Sequence, residues 1–349
     1  MRFSTKLKKL RRTIIFSVPI MIVGLSLFFV FTDNFTFSKN LFSLSSQIKQ
    51  LNGVYEPSAA QQLESGSIVV LEDEISRALS LLEFDSDENL LEDAIQDKQL
   101  NAALKESFDD LEGIALSNGS VIYATTSFSR TSKGKQRANR EKLLRLAFDE
   151  NGGLLKKDVY TKFAASIEKS EFFNTLKSQD DDVEIDDINI EGLSFNKDKS
   201  RLLFGFKEPL VNGLSIIIQL ENPQQVLDGS ELPVISSEAT LLDLQGGGIR
   251  SLYFDDRLEG YLIANEVNFG GGPKQSQLWF WDGQKQQAPI ALSLPEIADM
   301  ENIEAIAAVT VGSERKILLM SDDGSRKNKR PAHYALIEYT EIESQVAPQ

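Results

Sequence analysis

Short apolar runs recur along the chain after residue 50, and polar turns separate them. Five of these runs are Ser67–Leu71, Val121–Thr125, Arg201–Phe206, Gly260–Ala264 and Lys316–Met320. A further run follows each of them, at Arg77–Leu82, Lys142–Phe148, Leu214–Leu220, Gln277–Trp281 and Tyr334–Tyr339. The runs are rich in β-branched and aromatic residues, and turns such as Asn118-Gly119 and Asp323-Gly324 lie between them. This pattern predicts β-strands.

Several predicted strands are apolar at consecutive positions, for example 216–218 and 317–319. Consecutive apolar residues indicate a strand that is covered on both faces. Few helices are available to cover them, because the pattern predicts only one clear helix, within 162–177, and a weaker one within 88–106. The two faces of each sheet must therefore be covered by neighbouring sheets. A radial arrangement, in which every sheet packs between two others, is an all-β propeller.

A short motif precedes each pair of predicted strands. Its copies are Asp110–Ile114, Asn189–Leu193, Gly248–Leu252 and Asn302–Ile306, with a weaker first copy at Glu56–Ala60. Their central positions are 58, 112, 191, 250 and 304, so that the spacings are 54, 79, 59 and 54 residues. Five copies predict five four-stranded blades, with a sixth blade inside the 79-residue interval as the alternative. The last blade has three evident strands, so we expect a strand near Gln47–Val54 to complete it.

The motif copies carry a family resemblance. Asp-Leu-Glu-Gly-Ile at 110–114 precedes Ser127-Phe128-Ser129-Arg130, and Asn-Ile-Glu-Gly-Leu at 189–193 precedes 203–210. With 248–250 and 278–283, these segments resemble an uncharacterised bacterial β-propeller family, a domain of unknown function. That family is similar at blade level to the phytase-like and esterase-like propellers. The resemblance covers about residues 54–340 and implies the fold more than an activity.

The N-terminal segment has the pattern of a membrane anchor. Residues 1–13 carry six basic side chains and no acid, and residues 14–31 carry no charge. At about 1.5 Å per residue, this run is long enough to cross the hydrocarbon core of a bilayer. The basic flank predicts a cytoplasmic N-terminus. A cleaved signal peptide is the alternative, although the bulky exit at 27–31 does not suit cleavage.

The predicted organisation follows from these segments. Residues 1–13 form a cytoplasmic basic segment, 14–32 a transmembrane signal anchor, 33–50 a tether, 51–342 an extracytoplasmic propeller and 343–349 a tail. The protein is then a single-pass protein of the cell membrane, with its C-terminal domain in the periplasm.

Composition limits the chemistry. The 349 residues include 37 basic and 52 acidic side chains, for a net charge of −15, with no cysteine and one histidine, His333. Missing cysteine excludes disulfides, thiolate metal sites and cysteine nucleophiles. A single histidine excludes a histidine-rich metal site. The acidic balance argues against nucleic acid as a partner.

The candidate site is one rim of the propeller channel, where inner strands start and second strands end. The starts supply Glu112, Glu191, Arg250 and Glu304, and the second-strand ends supply Ser127, Ser129, Arg130, Lys207, Glu208 and Glu266. A basic loop adds Lys133 and Lys135. Glu112, Glu191 and Glu304 are candidate metal ligands, since oxygen ligands suit Ca²⁺.

Two functions from different classes fit this rim. The first is binding of an anionic small molecule or a protein partner, without catalysis. The alternative is Ca²⁺-dependent hydrolysis of a phosphoester or lactone, in which Arg250 and either Arg130 or Lys133 hold the anion. A third interpretation is structural, with Arg250 pairing the rim carboxylates as a plug.

Overall fold

The computed structural model describes residues 48–74, 77–179, 183–268 and 275–347. The predicted basic segment, anchor and most of the tether lie outside the described residues. Within the described ranges, no helix is long and apolar enough to cross a membrane.

Twenty strands form five antiparallel sheets of four strands each. In chain order they are β1 (Lys49–Gln50), β2 (Pro57–Gln62), β3 (Ile68–Glu72), β4 (Leu79–Phe84), β5 (Leu90–Glu92), β6 (Leu111–Asn118), β7 (Val121–Thr126), β8 (Leu143–Phe148), β9 (Leu154–Tyr160), β10 (Asn189–Phe195), β11 (Leu202–Glu208), β12 (Ser215–Leu220), β13 (Thr240–Leu242), β14 (Ile249–Asp255), β15 (Gly260–Val267), β16 (Gln275–Trp281), β17 (Ile290–Ala291), β18 (Ile303–Val311), β19 (Glu314–Ser321) and β20 (His333–Glu338). Blades 1 to 4 are β2–β5, β6–β9, β10–β13 and β14–β17. The five-bladed propeller predicted from the sequence is confirmed.

The last blade combines the two ends of the described chain. Its strand order is β18, β19, β20 and then β1, with Lys49 opposite Tyr334 and Gln50 opposite His333. The strand expected near 47–54 therefore completes blade 5, as the sequence predicted. Pairing the first strand with the last closes the ring without covalent bonds.

Within the described ranges, five α-helices accompany the blades. They are α1 (Ala94–Leu104), α2 (Phe163–Glu168), α3 (Glu171–Gln179), α4 (Pro223–Asp228) and α5 (Tyr339–Val346). The helix predicted at 162–177 is confirmed as the pair α2 and α3, and α1 lies inside the weaker prediction. This pair fills the 79-residue interval, so the six-blade alternative is wrong. The sequence pattern did not predict α4 and α5.

The apolar core consists of five clusters, and each cluster joins two neighbouring blades. On β12, Ile216 and Ile218 pack toward blade 2, whereas Ile217 packs toward blade 4. On β19, Ile317 and Leu319 face blade 4, and Leu318 faces blade 1. Successive side chains of a strand point to opposite faces. The consecutive apolar positions thus serve two separate cores, as the sequence predicted.

Candidate functional site

Each inner strand has a register shift near its start, and the same position of the sequence motif lies at every shift. The shifts fall around Ser58, Glu112, Glu191, Arg250 and Glu304. A β-bulge places an extra residue in one strand and redirects its side chain. We call these five residues the bulge ring, and the end of the channel where they lie the bulge end. The motif found in the sequence is therefore a repeated bulge.

The glycine after the bulge brings neighbouring blades together in blades 2 and 3. A Cβ added at Gly113 would lie 2.6 Å from the Leu193 Cβ of blade 3. One added at Gly192 would lie 2.8 Å from the Ile249 Cγ2 of blade 4. Real Cβ atoms do not approach that closely, so the Glu-Gly pair combines a redirected carboxylate with a tight contact between blades.

Arg250 is the cation at the centre of the bulge ring. Its guanidinium pairs with Glu304, reaches Glu266 Oε2 at 2.9 Å and lies 3.5 Å from Glu191 Oε2. Burial opposes the charge of this guanidinium, but the carboxylates of Glu304, Glu191 and Glu266 outweigh it and raise the pKa of Arg250. The side chain is only 12% exposed. Arg250 therefore pairs with several rim carboxylates, the arrangement that the structural interpretation of the sequence proposed.

A second cation, Lys207, reaches the ring from the end of β11. Its Nζ lies 2.6 Å from Glu191 Oε1, to which the Asn189 side chain also donates at 3.3 Å. The other oxygen, Glu191 Oε2, is buried and accepts no hydrogen bond from the described residues. Burial raises the pKa of Glu191, although the nearby charges of Lys207 and Arg250 work in the opposite direction.

Glu112 differs from the other ring carboxylates. It is 8% exposed, and among the described residues no hydrogen bond or ion pair reaches its carboxyl group. Burial, followed by repulsion from Glu191 and Glu304, raises the pKa of Glu112 well above its ordinary value. Burial and Glu191 also raise the pKa of Glu304 well above the ordinary value, despite the pairing with Arg250. Glu112 is thus a buried acid without a counter-charge.

A hydroxyl and carboxylate network lies beside Glu112. Ser127 Oγ donates to Asp110, Ser129 Oγ donates to Asp110 Oδ2 at 3.1 Å, and Arg140 Nη1 donates to the same oxygen at 2.6 Å. Asp73 reaches solvent at this rim. The pKa of Asp73 is raised to about 8. The main cause is desolvation by the surrounding protein, and the next is repulsion by the charge of Asp110.

The structure brings some predicted site residues together and separates others. Glu191, Arg250, Glu304, Lys207 and Glu266 form one ion-pair network, and Ser127 and Ser129 join through Asp110. Arg130 instead pairs with Asp186, while Lys133 and Lys135 lie exposed in a turn. Glu208 ends β11 opposite Asn189 and is exposed. Lys133 and Lys135 therefore do not enter the ring, whereas Arg140 of the same loop reaches Asp110.

The described part of the chain contains no preformed metal-binding site. No group of three or more acidic or histidine side chains there could hold a metal ion. Among the predicted ligands, the charge of Glu191 raises the pKa of both Glu112 and Glu304, so the three glutamates lie near one another. They do not converge on one point.

Several further polar residues lie near this rim. Asp110 and Asn302 precede the bulges by two residues and have φ of +64° and +53°. Burial raises the pKa of Asp322 to about 6. His333 Nδ1 lies 2.6 Å from Asp323 Oδ2, whose other oxygen accepts from Ser321 Oγ at 2.7 Å. Aspartate and asparagine tolerate positive φ, so their position before the bulge was an available signal.

Comparison with known proteins gives one family match. Residues 154–265 match the model of a family described as a protein of unknown function, DUF3616. The match runs from the last strand of blade 2 into blade 4, and it confirms the resemblance to an uncharacterised family over that part. A search of curated proteins finds no match.

Solved structures with a similar fold are distant in sequence. One is an α-L-arabinofuranosidase from Clostridium thermocellum, 11% identical, with 76% of this chain and 81% of the other covered and a TM-score of 0.45. Another is the allergen Mala s 1 from Malassezia sympodialis, also 11% identical, with 80% of this chain and 92% of the other covered and a TM-score of 0.42. Neither likeness assigns an activity to this chain.

Proposed function

We propose that the bulge end is a binding site for a ligand that carries a positive charge, such as a protonated amine, and that Glu112 contacts this charge. The observation that carries the proposal is the state of Glu112. Its carboxyl group is buried, has no partner among the described residues and lies beside two other glutamates. A buried ionised carboxylate is stable only when it is paired. A cationic ligand would supply the missing partner.

The charges around the ring support this sign of ligand. The acids there are Asp73, Asp110, Glu112, Glu191, Glu266, Glu304 and Asp322, and the cations are Arg140, Lys207 and Arg250. All three of these cations are already paired with carboxylates. An anion would have to displace a carboxylate, whereas a cation would offset the excess of negative charge. The anionic ligand expected from the sequence remains a prediction, with Lys133 and Lys135 as its remaining cations.

Binding of a cation at Glu112 is coupled to the loss of a proton. The groups that face Glu112 are Glu191, Glu304, Asp110 and Asp73, and each raises its pKa. In the free protein the carboxyl group is therefore protonated over a wider pH range than an ordinary glutamate. A cation binds the ionised form, so its affinity rises with pH, by up to about tenfold per pH unit below the pKa of Glu112.

The test uses n-butylamine as the probe and 1-butanol as its neutral counterpart. The thermal midpoint of the full chain is measured with each compound at pH 6 and pH 8. We expect butylamine alone to raise the midpoint, and more strongly at pH 8. Glu112→Gln should weaken butylamine binding about tenfold or more, while Glu301→Gln, at an exposed glutamate, should leave it unchanged.

The same experiment separates the other candidates. If Ca²⁺ raises the thermal midpoint of the wild-type chain but not that of Glu112→Gln, and butylamine raises neither, the site binds a metal ion. If butyrate binds and Lys133→Gln or Lys135→Gln abolishes that binding, the anionic ligand is correct. Equal butylamine affinity at both pH values, or in Glu112→Gln, would overturn the proposal.

Hydrolysis is the second candidate, because one observation supplies a base for it. His333 is one-third exposed, and Asp323 holds its Nδ1 at 2.6 Å, which leaves Nε2 available to accept a proton from water. Chromogenic phosphodiester and ester substrates should then be cleaved by the wild-type chain. His333→Gln should lower that rate at least a hundredfold, and a chelator should lower it if Ca²⁺ takes part. No turnover with or without Ca²⁺ removes this candidate.

We further propose that residues 14–32 anchor the propeller to the cell membrane, with the propeller in the periplasm. The support is the uncharged run that follows six cations. Full-length protein should stay in the membrane fraction after carbonate extraction, and protease added to spheroplasts should degrade the propeller. A mature mass that lacks the first 32 residues would favour the cleaved signal peptide. Leu25→Arg should release the chain or block its export.

A further inference from the structure

The opposite end of the channel holds a cavity that the bulge ring does not reach. It has a volume of about 160 Å³, and residues from all five inner strands line it, among them Gln61, Leu116, Phe195, Tyr253 and Val309. These residues lie toward the ends of β2, β6, β10, β14 and β18, whereas the bulges lie near the starts. The cavity therefore lies on the axis, at what we call the far end. Its volume corresponds to about five liquid waters at about 30 Å³ each.

One side chain in this cavity has an unmet hydrogen-bonding capacity. Gln61 is only 5% exposed, and its side-chain amide has no hydrogen-bond partner among the described residues. Its neighbour Gln62 is more exposed but fully engaged. Gln62 Nε2 donates to the Thr310 carbonyl at 3.3 Å, and Gln62 Oε1 accepts from the Thr310 amide at 2.7 Å. The amide atoms of Gln61 are not fully enclosed by protein, so they open onto the cavity, where a ligand can complete their hydrogen bonds.

The walls and the entrance indicate what that ligand is. Leu116, Phe195 and Phe254 give the cavity an apolar side. Arg315 lies at the entrance, where it lines the cavity together with Tyr253 and lies 3.4 Å from the buried Asp255. Lys199 is a second cation at the entrance, and Asp256 is the one exposed acid that lines the cavity among the described residues. The amide of Gln61 and the guanidinium of Arg315, which also faces Asp255, therefore line the same cavity as an apolar wall.

We propose that the far end binds a small organic carboxylate, with the carboxylate between the Gln61 amide and Arg315 and the apolar tail against Phe195 and Phe254. The guanidinium supplies charge and the amide supplies a second donor, an arrangement that suits a planar carboxylate. The cavity volume limits the tail to a few carbon atoms. This site is separate from the one proposed at the bulge end, and the two do not depend on each other.

The test titrates the full chain with butyrate, butyramide and n-butylamine by ligand-observed NMR and calorimetry. We expect butyrate to bind more than fivefold more tightly than butyramide. Gln61→Leu and Arg315→Gln should each weaken butyrate binding about fivefold or more, and Gln61→Glu should abolish it by repulsion. Gln286→Leu, at an exposed glutamine, should leave it unchanged.

Each outcome decides the proposal. Equal affinity for butyrate and butyramide would show that charge is not recognised, and unchanged affinity in Gln61→Leu would place the ligand elsewhere. Either result overturns the proposal, as does an absence of butyrate binding to the wild-type chain. Because Gln61→Leu could perturb folding, Arg315→Gln provides an independent variant near the surface. Glu112→Gln should not change butyrate binding, which keeps the two ends distinguishable.

Discussion

The two ends of the channel are formed by the same five inner strands but differ in the charge of their buried side chains. At the bulge end, Arg250 and Lys207 are surrounded by carboxylates, and Glu112 is left without a counter-charge. At the far end part of the wall is apolar, and the neutral side-chain amide of the buried Gln61 has no partner among the described residues. A buried neutral group costs the fold a constant amount, whereas a buried acid costs an amount that depends on pH. The bulge end should therefore respond to pH and the far end should not.

Removal of the central cation should have the largest effect on this contrast. Arg250→Met leaves Glu304, Glu191 and Glu266 without their shared guanidinium, so we expect a loss of about 3–5 kcal/mol in the free energy of unfolding at pH 7.5. The loss should be smaller at pH 5, because more of these carboxyls are then protonated. Urea unfolding at both pH values measures it.

The control for Arg250 is a surface arginine with one carboxylate partner. Arg201 lies 2.6 Å from Glu221 and is 48% exposed, so Arg201→Met should cost at most about 1 kcal/mol. If Arg250→Met costs no more than Arg201→Met, the carboxylates do not depend on the central cation.

Glu112→Gln should stabilise the protein, with a sign that follows from linkage. The folded-state pKa of Glu112 lies above the unfolded value, so the folded state retains a proton that the unfolded state has lost. The stability of the wild-type chain therefore falls as pH rises from about 4.5 toward the folded pKa, by up to about 1.4 kcal/mol per pH unit. Glutamine removes this penalty, so the thermal midpoint of the variant should exceed that of the wild type at pH 7.5.

The pH dependence is the diagnostic part of this comparison. The difference between Glu112→Gln and the wild type should shrink toward zero near pH 4.5. Glu301→Gln, at an exposed glutamate, should show no such trend. A variant that is less stable than the wild type at pH 7.5 would mean that the ionised carboxylate of Glu112 already has a partner.

Gly113→Ala should disturb the bulge end through packing instead of charge. The added methyl would meet the Leu193 Cβ at 2.6 Å and the Leu193 backbone nitrogen at 3.1 Å, so blade 3 must move. We expect a loss of about 1–3 kcal/mol in unfolding free energy, independent of pH. Gly153→Ala is the control, because its methyl would meet the carboxylate end of the Asp149 side chain instead of a neighbouring blade. Equal effects of the two changes would contradict a tight contact at Gly113.

Gln61→Leu should have the smallest effect and no pH dependence. Leucine removes a buried amide that has no partner, so stability should rise by about 1 kcal/mol or stay the same. Unfolding curves at pH 5 and pH 8 should give the same difference from the wild type. A pH-dependent difference would mean that the two ends of the channel are electrostatically coupled.

The sequence predicted those features that recur in every blade. Consecutive isoleucines at 216–218 indicated two apolar faces, and the motif centred on 58, 112, 191, 250 and 304 marked the ring, because repetition makes a weak local pattern visible. Its physical basis, a bulge at each position, needed the strand register.

Features that belong to one blade could not be predicted in the same way. The pairing of His333 with Asp323 and the isolation of Glu112 depend on how individual side chains are oriented across turns and between blades. Gln61 and Gln62 are adjacent residues of the same type. Only the structure shows that Gln62 bonds to Thr310, whereas the buried Gln61 is a candidate ligand contact. The sequence also grouped Arg130 with the ring, but its partner is Asp186.

The ionisation of Glu112 tests the account most directly. Carboxyl ¹³C NMR of glutamate-labelled protein, with the Glu112 signal identified by its loss in Glu112→Gln, gives the titration midpoint of this one group. We expect a midpoint well above 4.5 in the free protein, because burial and two neighbouring glutamates oppose the charge. A midpoint near 4.5 would show an ordinary, stabilised carboxylate, and the bulge end would then have no reason to bind a cation.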